Sequence, residues 1–398
     1  MKKDKTMSQF TFILVKQLLR FLAFFFVGYR HKDKYKIKKN EPVLVLSNHQ
    51  TDIDSLLVNL SFNRLLCAVA TDNLFKKDFF GWLLHKFGGI PKKKGVPDLN
   101  STLLMLKAFR ANKSVVLFPE GNRAYAEFQY YITPDITRFV KAMKPTLVLF
   151  NLHGGTGTRP RFMRKRRLGK FYGKIKLVLK YDEYKDMPDD ELYKLILNNL
   201  RVIDAESGEL YKSPIRGEYL ERMFFVCPNC QKTQSLYSKK EFITCTNCGF
   251  EVEFTEDLHL KTNNHSINYT KLLDWYNYQI KWCKNFDNPN NEPIFIDQNV
   301  TLLTAEPNEK SHIVTKGEMV LYNDILKVGD QSFKLKNIEV SSPVSGTKLL
   351  FTYNKNSYEI KGSDRFNPLK YSLMFNKLDT KMHQNNTDQY FKLEEIAQ

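Results

Sequence analysis

Short unbroken apolar runs, separated by stretches with helical spacing, set the architecture of the first half of this chain. The runs Val43-Leu44-Val45-Leu46, Leu65 to Ala70, Val115 to Phe118, Leu147 to Phe150 and Ile175 to Leu179 show no polar alternation, so each predicts a strand covered on both faces. Helical spacing recurs between them, as in Leu99 to Phe109. Alternation of this kind predicts an α/β layer around a largely parallel sheet. From about residue 293 the texture changes to short β-like runs: Val300–Leu303, Met319–Tyr322, Ile325–Val328, Phe333–Leu335, Leu349–Tyr353 and Tyr358–Ile360. Turn pairs at Asn323-Asp324, Gly329-Asp330 and Asn354-Lys355 predict hairpins, and Asn367 to Leu378 predicts one closing helix. The last twenty residues, rich in Asn, Gln, Asp and Lys, predict a frayed tail.

The N-terminus carries a different pattern. Residues 10 to 29 approach the length of a membrane span but are interrupted by Lys16, Gln17 and Arg20, which share one face of a helix. That arrangement predicts a helix lying in the bilayer interface. Charges break the apolar region and no small-residue cleavage site follows, which argues against a signal peptide. Leu74 to Phe87, with Phe79, Phe80, Trp82, Leu83 and Leu84 beside Lys76 and Lys77, is a second candidate for membrane contact, and ordinary core packing explains it nearly as well.

At 398 residues the chain is too long for one ordinary core. Its formal charge of +18 points to anionic partners: a phospholipid surface, nucleic acid or an acidic carrier protein. The densest basic stretch, Arg159 to Lys176, holds nine basic residues and no acidic one. Its interleaved Phe162, Met163, Phe171 and Tyr172 favour contact with lipid headgroups over a plain solvated face.

Four of the six cysteines lie in Cys227-Pro-Asn-Cys230 and Cys245-Thr-Asn-Cys248, two CxxC knuckles separated by fourteen residues. This spacing is a zinc-ribbon signal. Four thiolates close a tetrahedron and leave no position for water, so the zinc is expected to be structural. Disulfides are the alternative, disfavoured in a chain with no visible secretory signal. Cys67 and Cys283 read as small core residues. The predicted order is therefore an N-terminal membrane-associating helix (1–33), a catalytic α/β domain (34–215), a zinc ribbon (220–258), a connecting helix (259–292) and a β-rich domain (293–380).

Two runs carry chemistry. In NHQTDID, His49 follows the strand at Val43–Leu46, and Asp54 lies in the predicted helix start Ile53 to Leu57. A five-residue offset on one continuous helix would set the two side chains about 140° apart, whereas a strand-turn-helix junction folds them together. An imidazole facing a carboxylate suits proton abstraction from an alcohol. In LFPEGNR, the strand ending at Phe118 is broken by Pro119-Glu120-Gly121. Glu120 can accept hydroxyl protons, Gly121 lets backbone come close, and Arg123 can grip a phosphate with two parallel bonds. Taken singly, His49 reads as an ordinary turn histidine and Asp52 or Asp54 as a helix N-cap, with Asp52 preferred for that role and Asp54 left to pair with His49.

Together the runs resemble the glycerolipid acyltransferases, and specifically the 1-acylglycerol-3-phosphate (lysophosphatidate) acyltransferases, with their NHxxxxD and FPEGTRS motifs. Gly88-Gly89-Ile90-Pro91-Lys92-Lys93-Lys94 is similar to the family's intervening glycine-isoleucine-proline segment, with Lys94 at its arginine position. Asn122 and Ala124 stand where the family has threonine and serine, and a fourth motif is barely visible in Pro145-Thr146-Leu147-Val148. The resemblance, over roughly residues 40 to 155, implies transfer of a fatty acyl group from a thioester to a lysophospholipid hydroxyl, without a covalent acyl-enzyme. It implies His49 as base, Asp54 as its partner, Lys94 and Arg123 on the acceptor phosphate, Glu120 on glycerol hydroxyls, and backbone around Gly121 at the oxyanion. Acyl-CoA or an acidic acyl carrier protein would be the donor. The expected setting is the cytoplasmic face of the cell membrane. The C-terminal β pattern is similar to a pleckstrin-homology or GRAM-type barrel. A nucleic-acid-binding module is the rival class, supported by charge and ribbon, but it leaves both motif runs unexplained, and no nucleic acid is expected.

Overall fold

The first strands follow directly from the apolar runs. In the computed structural model, which describes residues 7–31, 35–75, 79–93, 98–125, 129–262, 264, 266–306, 309–344 and 346–378, Val43–Ser47 (β2) is buried along its whole length, as is Ser114–Leu117 (β5). Lys76, Lys77, Lys94 and the tail beyond Leu378 lie outside the described residues, and so do the side chains of Phe79 and Phe80. The chain divides into two compact units, residues 1–160 with 168–209 and residues 161–167 with 210–398.

In the first unit Tyr29–His31 (β1), β2, Leu66–Thr71 (β3), Ile90–Lys92 (β4), β5, Thr146–His153 (β6) and Phe171–Leu179 (β7) form one sheet in the order β1-β7-β6-β2-β5-β3-β4. All neighbours run parallel except the β6/β7 pair. Helices cover both faces, which is why the strands are apolar on both sides. Odd-numbered residues of β2 (Val43, Val45) join one core with Val116, Phe118 and Phe150, whereas Leu44 and Leu46 join the other with Val115, Met105, Ile136 and Ile196. Register positions the chemistry. Leu46 of β2 pairs with Leu117 of β5, so the two strands stop side by side, and residues three beyond them, His49 and Glu120, emerge abreast.

The N-terminal helix Gln9–Leu22 (α1) runs on through a π turn, Ala23–Val27, to Gly28 at φ +74°. The polar face expected from Lys16, Gln17 and Arg20 is divided. Lys16 turns inward, is 7 % exposed and donates to the Phe62 carbonyl. Phe12, Lys16, Ala23 and Val27 are buried at four- and seven-residue spacing, while Phe10 (73 %), Leu14 (60 %), Leu18 (61 %), Phe21 (59 %) and Phe25 (58 %) are exposed. The helix is anchored by a narrow stripe and shows its apolar side outward. At 19 residues and mean hydropathy 1.9, Gln9–Val27 is long and apolar enough to cross a membrane.

The basic stretch is divided: Arg164, Lys165, Lys170, Lys174 and Lys176 are exposed, and others turn inward. Arg161 and Arg167 are buried, as are Phe162 and Phe171. Arg161 donates to the Pro343 carbonyl, and Arg167 donates to the Arg216 carbonyl at 2.9 Å while its guanidinium stacks 4.6 Å from the Phe254 ring. Arg164 pairs with Asp364, and Lys170 with Glu209 at 2.6 Å. A guanidinium is the cation best suited to such burial, because it is weakly hydrated and stacks on aromatic faces.

The second unit begins with a four-stranded antiparallel ribbon, Leu236–Lys239 (β8), Phe242–Cys245 (β9), Glu251–Phe254 (β10) and Leu260–Thr262 (β11). Helix Leu272–Asn285 is a core element, not merely a connector. Trp275 stacks on Phe224 (4.4 Å, 8°) and its indole N–H donates to the Val226 carbonyl at 2.9 Å. A seven-stranded antiparallel sheet follows, made of Phe295–Thr304 (β12), Ile313–Leu321 (β13), Ile325–Val328 (β14), Gln331–Lys334 (β15), Ile338–Val344 (β16), Lys348–Tyr353 (β17) and Asn356–Lys361 (β18), with Pro368–Leu378 as closing helix. Its order, β15-β14-β13-β12-β18-β17-β16, pairs first strand with last and leaves β15 and β16 as edges among the described residues. The three predicted hairpin turns fall between β13 and β14, β14 and β15, and β17 and β18. At the last, Asn354 (φ 48°) and Lys355 (φ 68°) are both left-handed, the conformation of a tight two-residue hairpin.

Candidate active site

His49 stands at the carboxyl end of β2, where ligands of open α/β sheets bind, and its position is fixed from three directions. Its backbone N–H donates to Glu120 Oε1 at 3.1 Å and its carbonyl accepts from the Ala124 N–H at 2.9 Å, so the PEGNRA run clamps its main chain on both sides. Its ring stacks on Phe118, with centroids 4.4 Å apart. Its Nδ1 lies 2.9 Å from Asp54 Oδ2. An Nδ1–H tautomer satisfies that contact and makes Nε2 the proton-accepting nitrogen. The His49 side chain is 22 % exposed, whereas Asp54 is fully buried.

Asp54 also shapes the turn. Its Oδ2 accepts the backbone N–H groups of Gln50 (2.6 Å) and Thr51 (2.8 Å), and Thr51 Oγ1 donates to Oδ1. Helix Asp54–Ser61 (α2) starts at Asp54 with Ile53 at the cap position. The N-cap role read for Asp52 is therefore not what the structure shows. Asp52 is on the surface, 3.5 Å from Arg159.

Glu120 is 2 % exposed, and its second oxygen accepts the Tyr130 N–H at 3.0 Å. Both carboxylate oxygens thus hold main chain. Burial, opposed by those two hydrogen bonds and aided by the nearby Asp54 charge, pushes its pKa up to about 8. Gly121 sits at φ +67°, a conformation that favours glycine, with nothing within 4 Å of where a Cβ would be. Its N–H donates to the Phe118 carbonyl at 3.1 Å, so this amide closes the turn. Arg123 is half-buried on the same loop.

A further layer lay beyond sequence reading. Asn48 exchanges two hydrogen bonds with the backbone of Leu152, at 2.9 and 2.8 Å, extending the β2/β6 pairing through a side chain. Gln50 Oε1 accepts the Gly155 N–H at 2.9 Å, and its amide donates to Asp204 Oδ2 at 3.3 Å. Asp204 also accepts from the Gly154 N–H (2.7 Å) and Thr156 Oγ1 (2.6 Å). Gly155 has to be small, because a Cβ there would come within 2.5 Å of Gln50 Oε1. Gln50 sits inside the first motif run and was visible, whereas nothing local marks Asp204, 154 residues away. A small cavity between Asn48, His49, Glu120, Gln129 and Thr156 lies at this centre. A larger one, about 970 Å³, lies between Cys67, Trp82, Lys107 and Lys113 near the amino ends of β3 and β5, away from this chemistry.

In the second unit, Cys227, Cys230, Cys245 and Cys248 converge with all four sulfurs within 4.8 Å of one another. The Cys227–Cys248 and Cys230–Cys245 pairs are both 3.7 Å apart, and a tetrahedron with Zn–S of about 2.3 Å has edges of about 3.8 Å. Gly249 at φ +72° closes the second knuckle by donating to the Cys245 carbonyl at 2.9 Å. The Asn229 and Asn247 amides donate to Cys248 (3.4 Å) and Cys230 (3.6 Å), the outer hydrogen bonds that thiolate ligands take. This donor set fits zinc in a closed, structural site.

Residues 28–153 match the family model described as Acyltransferase. That span contains both the His49–Asp54 turn and the Glu120 run. Its motifs are similar to those of the lysophosphatidate acyltransferases, and the second unit holds a four-cysteine cluster consistent with a zinc ribbon. Among solved structures, the 1-acyl-sn-glycerophosphate (LPA) acyltransferase PlsC from Thermotoga maritima is similar at 16 % identity and TM-score 0.42, over 48 % of this chain and 78 % of that one. No curated protein matches.

Two outcomes test this geometry. A glutamine at position 120 can accept only one of the two N–H groups that Glu120 accepts, so Glu120→Gln should lower stability by about 1–3 kcal/mol at pH 5. Glu120's folded pKa lies above its unfolded value. Its contribution is fully present below about pH 4.5 and is lost as pH rises through about 8. Thermal melts from pH 5 to 9 should show the gap between wild type and variant narrowing as pH rises. A gap that is absent, or the same at every pH, contradicts the burial of this carboxyl.

Protein purified without chelator should contain one zinc per chain, and Cys230→Ser should lose it and destabilise the second unit. Elemental analysis with no zinc would refute the assignment, and a red or brown preparation would point to iron.

Proposed function

We propose that the first unit transfers a fatty acyl group from an acyl thioester, acyl-CoA or an acyl carrier protein, to the hydroxyl of a lysophospholipid, with lysophosphatidate as the leading acceptor. The observation that carries this reading is the His49–Asp54 pair, clamped at 2.9 Å where two parallel strands end together. His49 Nε2 takes the proton of the acceptor hydroxyl as its oxygen attacks the thioester carbonyl. Asp54 stabilises the imidazolium and fixes the ring. The imidazolium then returns the proton to the departing thiolate. Among the described residues the cavity beside His49 is lined by neither serine nor cysteine, and the hydroxyl of Thr156 is held by Asp204, which supports direct transfer. Arg123 would grip the acceptor phosphate with its forked guanidinium, joined by Lys94. Glu120 acts by holding the His49 main chain, in place of the glycerol contact implied by the family motif.

We further propose that α1 seats this unit on the membrane. The outward side chains of Leu14, Leu18, Phe21 and Phe25 would enter the acyl boundary, each contributing about 1.5–3 kcal/mol if fully buried. Zinc in the ribbon would serve stability of the second unit and take no part in transfer.

The decisive assay is a matrix of purified protein, acyl-CoA or acyl-carrier donor, and lysophosphatidate, other lysolipids and monoacylglycerol as acceptors, with products read by mass spectrometry. His49→Ala should lower kcat about 100-fold or more, and Asp54→Asn comparably, while Asp52→Asn should retain activity. Arg123→Ala should raise KM for lysophosphatidate far more than for monoacylglycerol. Near-wild-type turnover by His49→Ala would remove the base assignment.

Flotation with vesicles tests the seat. Replacing Leu14, Leu18, Phe21 and Phe25 together by glutamine should abolish binding to neutral vesicles without altering the melt. Undiminished flotation would place the membrane contact elsewhere.

A further inference from the structure

The acyl-transfer reading leaves one requirement unfilled, a donor for the oxyanion of the tetrahedral intermediate. The backbone amide of Gly121, which the family motif implies for this task, donates to the Phe118 carbonyl at 3.1 Å. The polar side chains lining the cavity beside His49 are Asn48, Gln50, Glu120, Gln129 and Thr156. Four of the five are bonded to protein: Asn48 to Leu152, Gln50 to Gly155 and Asp204, Glu120 to His49 and Tyr130, and Thr156 to Asp204. The exception is Gln129. Its amide Nε2 is buried and has no hydrogen-bond partner among the described residues. Such orphaned donors are rare in native structures because burial strips their water without replacing it. An orphan at the wall of a reaction cavity has a chemical explanation when a ligand oxygen completes it.

We propose that Gln129 Nε2–H donates to the carbonyl oxygen of the acyl thioester and holds the oxyanion that forms there, an inference that rests on the acyl-transfer reading. The acceptor oxygen bonds to the carbonyl carbon and its proton passes to His49 Nε2. The carbon–oxygen π pair moves onto the oxygen facing Gln129. When the carbonyl reforms, the carbon–sulfur bond breaks and the thiolate takes the proton back from His49. A neutral amide suits this position. It does not titrate, so it leaves the pH dependence to His49, and it stabilises the intermediate more than the uncharged carbonyl, so its effect falls on kcat.

The test compares Gln129→Leu and Gln129→Glu with wild type in the acyl-transfer assay, and His49→Ala runs in parallel. Leucine removes the donor and also the buried orphan, so the fold should melt no earlier than wild type. Glutamate keeps the shape but offers oxygens to the oxyanion. Both should lower kcat by about 10²–10³, the usual effect of losing one oxyanion donor, with little change in either KM. The pH profile of the leucine variant should keep its apparent pKa values. Should the leucine variant melt early, the glutamate variant carries the comparison. Unchanged kcat in both variants, alongside an inactive His49→Ala, would overturn the role of Gln129 and leave the acyl-transfer reading intact. A loss confined to acceptor KM would overturn it too, because Gln129 would then bind acceptor. Absence of transfer by wild type would overturn the reading and this inference together.

Discussion

The register between β2 and β5 is the constraint on which the site depends. Leu46 faces Leu117, so His49 and Glu120 leave the sheet at the same height, and a hydrogen bond from the His49 N–H to Glu120 closes the gap between two otherwise independent turns. Turns are ordinarily the most mobile parts of an α/β layer. Here the Ala124 N–H holds the same residue from its carbonyl side, so the histidine is framed by main chain before its ring meets any partner. The same logic explains Glu120. A carboxyl that holds two backbone donors in a dry site is useful as a rigid strut, and burial raises its pKa in exchange.

Much of this was legible from residue order. Unbroken apolar runs mark strands covered on both faces, and a two-residue turn between β-like runs leaves few alternatives to a hairpin, so both sheets were predictable in outline. His49 and Asp54 were legible as a pair because a strand-to-helix junction at that spacing must fold back. The inner polar layer was not. Asp204 meets Gln50 and Gly154 across 154 and 50 residues, and no local pattern distinguishes it from a surface aspartate. The main-chain partners of Glu120 were hidden for a related reason. A motif gives a residue's type and neighbours, but whether its oxygens face solvent or main chain is decided by the paired strand.

Two segments inverted the rule that charge lies outside and apolar surface inside. In α1, Lys16 is buried against the Phe62 carbonyl while phenylalanines and leucines face outward. In residues 161 to 167, Arg161 and Arg167 are buried, and Arg167 stacks on Phe254. Both inversions have the same physical origin. A long cationic side chain carries several methylenes and can pack like an apolar residue if its head finds a carbonyl or an aromatic face. The partner that makes this possible lies far away in sequence, Phe62 for Lys16 and Phe254 for Arg167, so a basic run cannot reveal which of its members have one.

The division of labour follows from where each kind of rigidity is placed. The four-sulfur cluster fixes a small ribbon whose strands, Leu236–Lys239 to Leu260–Thr262, are too short to bury much apolar surface by themselves, which is the circumstance in which a metal contributes most to folding. The first unit needs no such cross-link, because strands buried along their length already hold their ends in place. Its polar groups are correspondingly paired almost throughout, from Asn48 on the Leu152 backbone to Asp204 on Gly154. Against such pairing, the amide nitrogen of Gln129, buried beside His49 without a partner among the described residues, stands out. In a site where main chain, turn and base are already fixed, an unmet hydrogen bond is best explained as a place kept for the substrate.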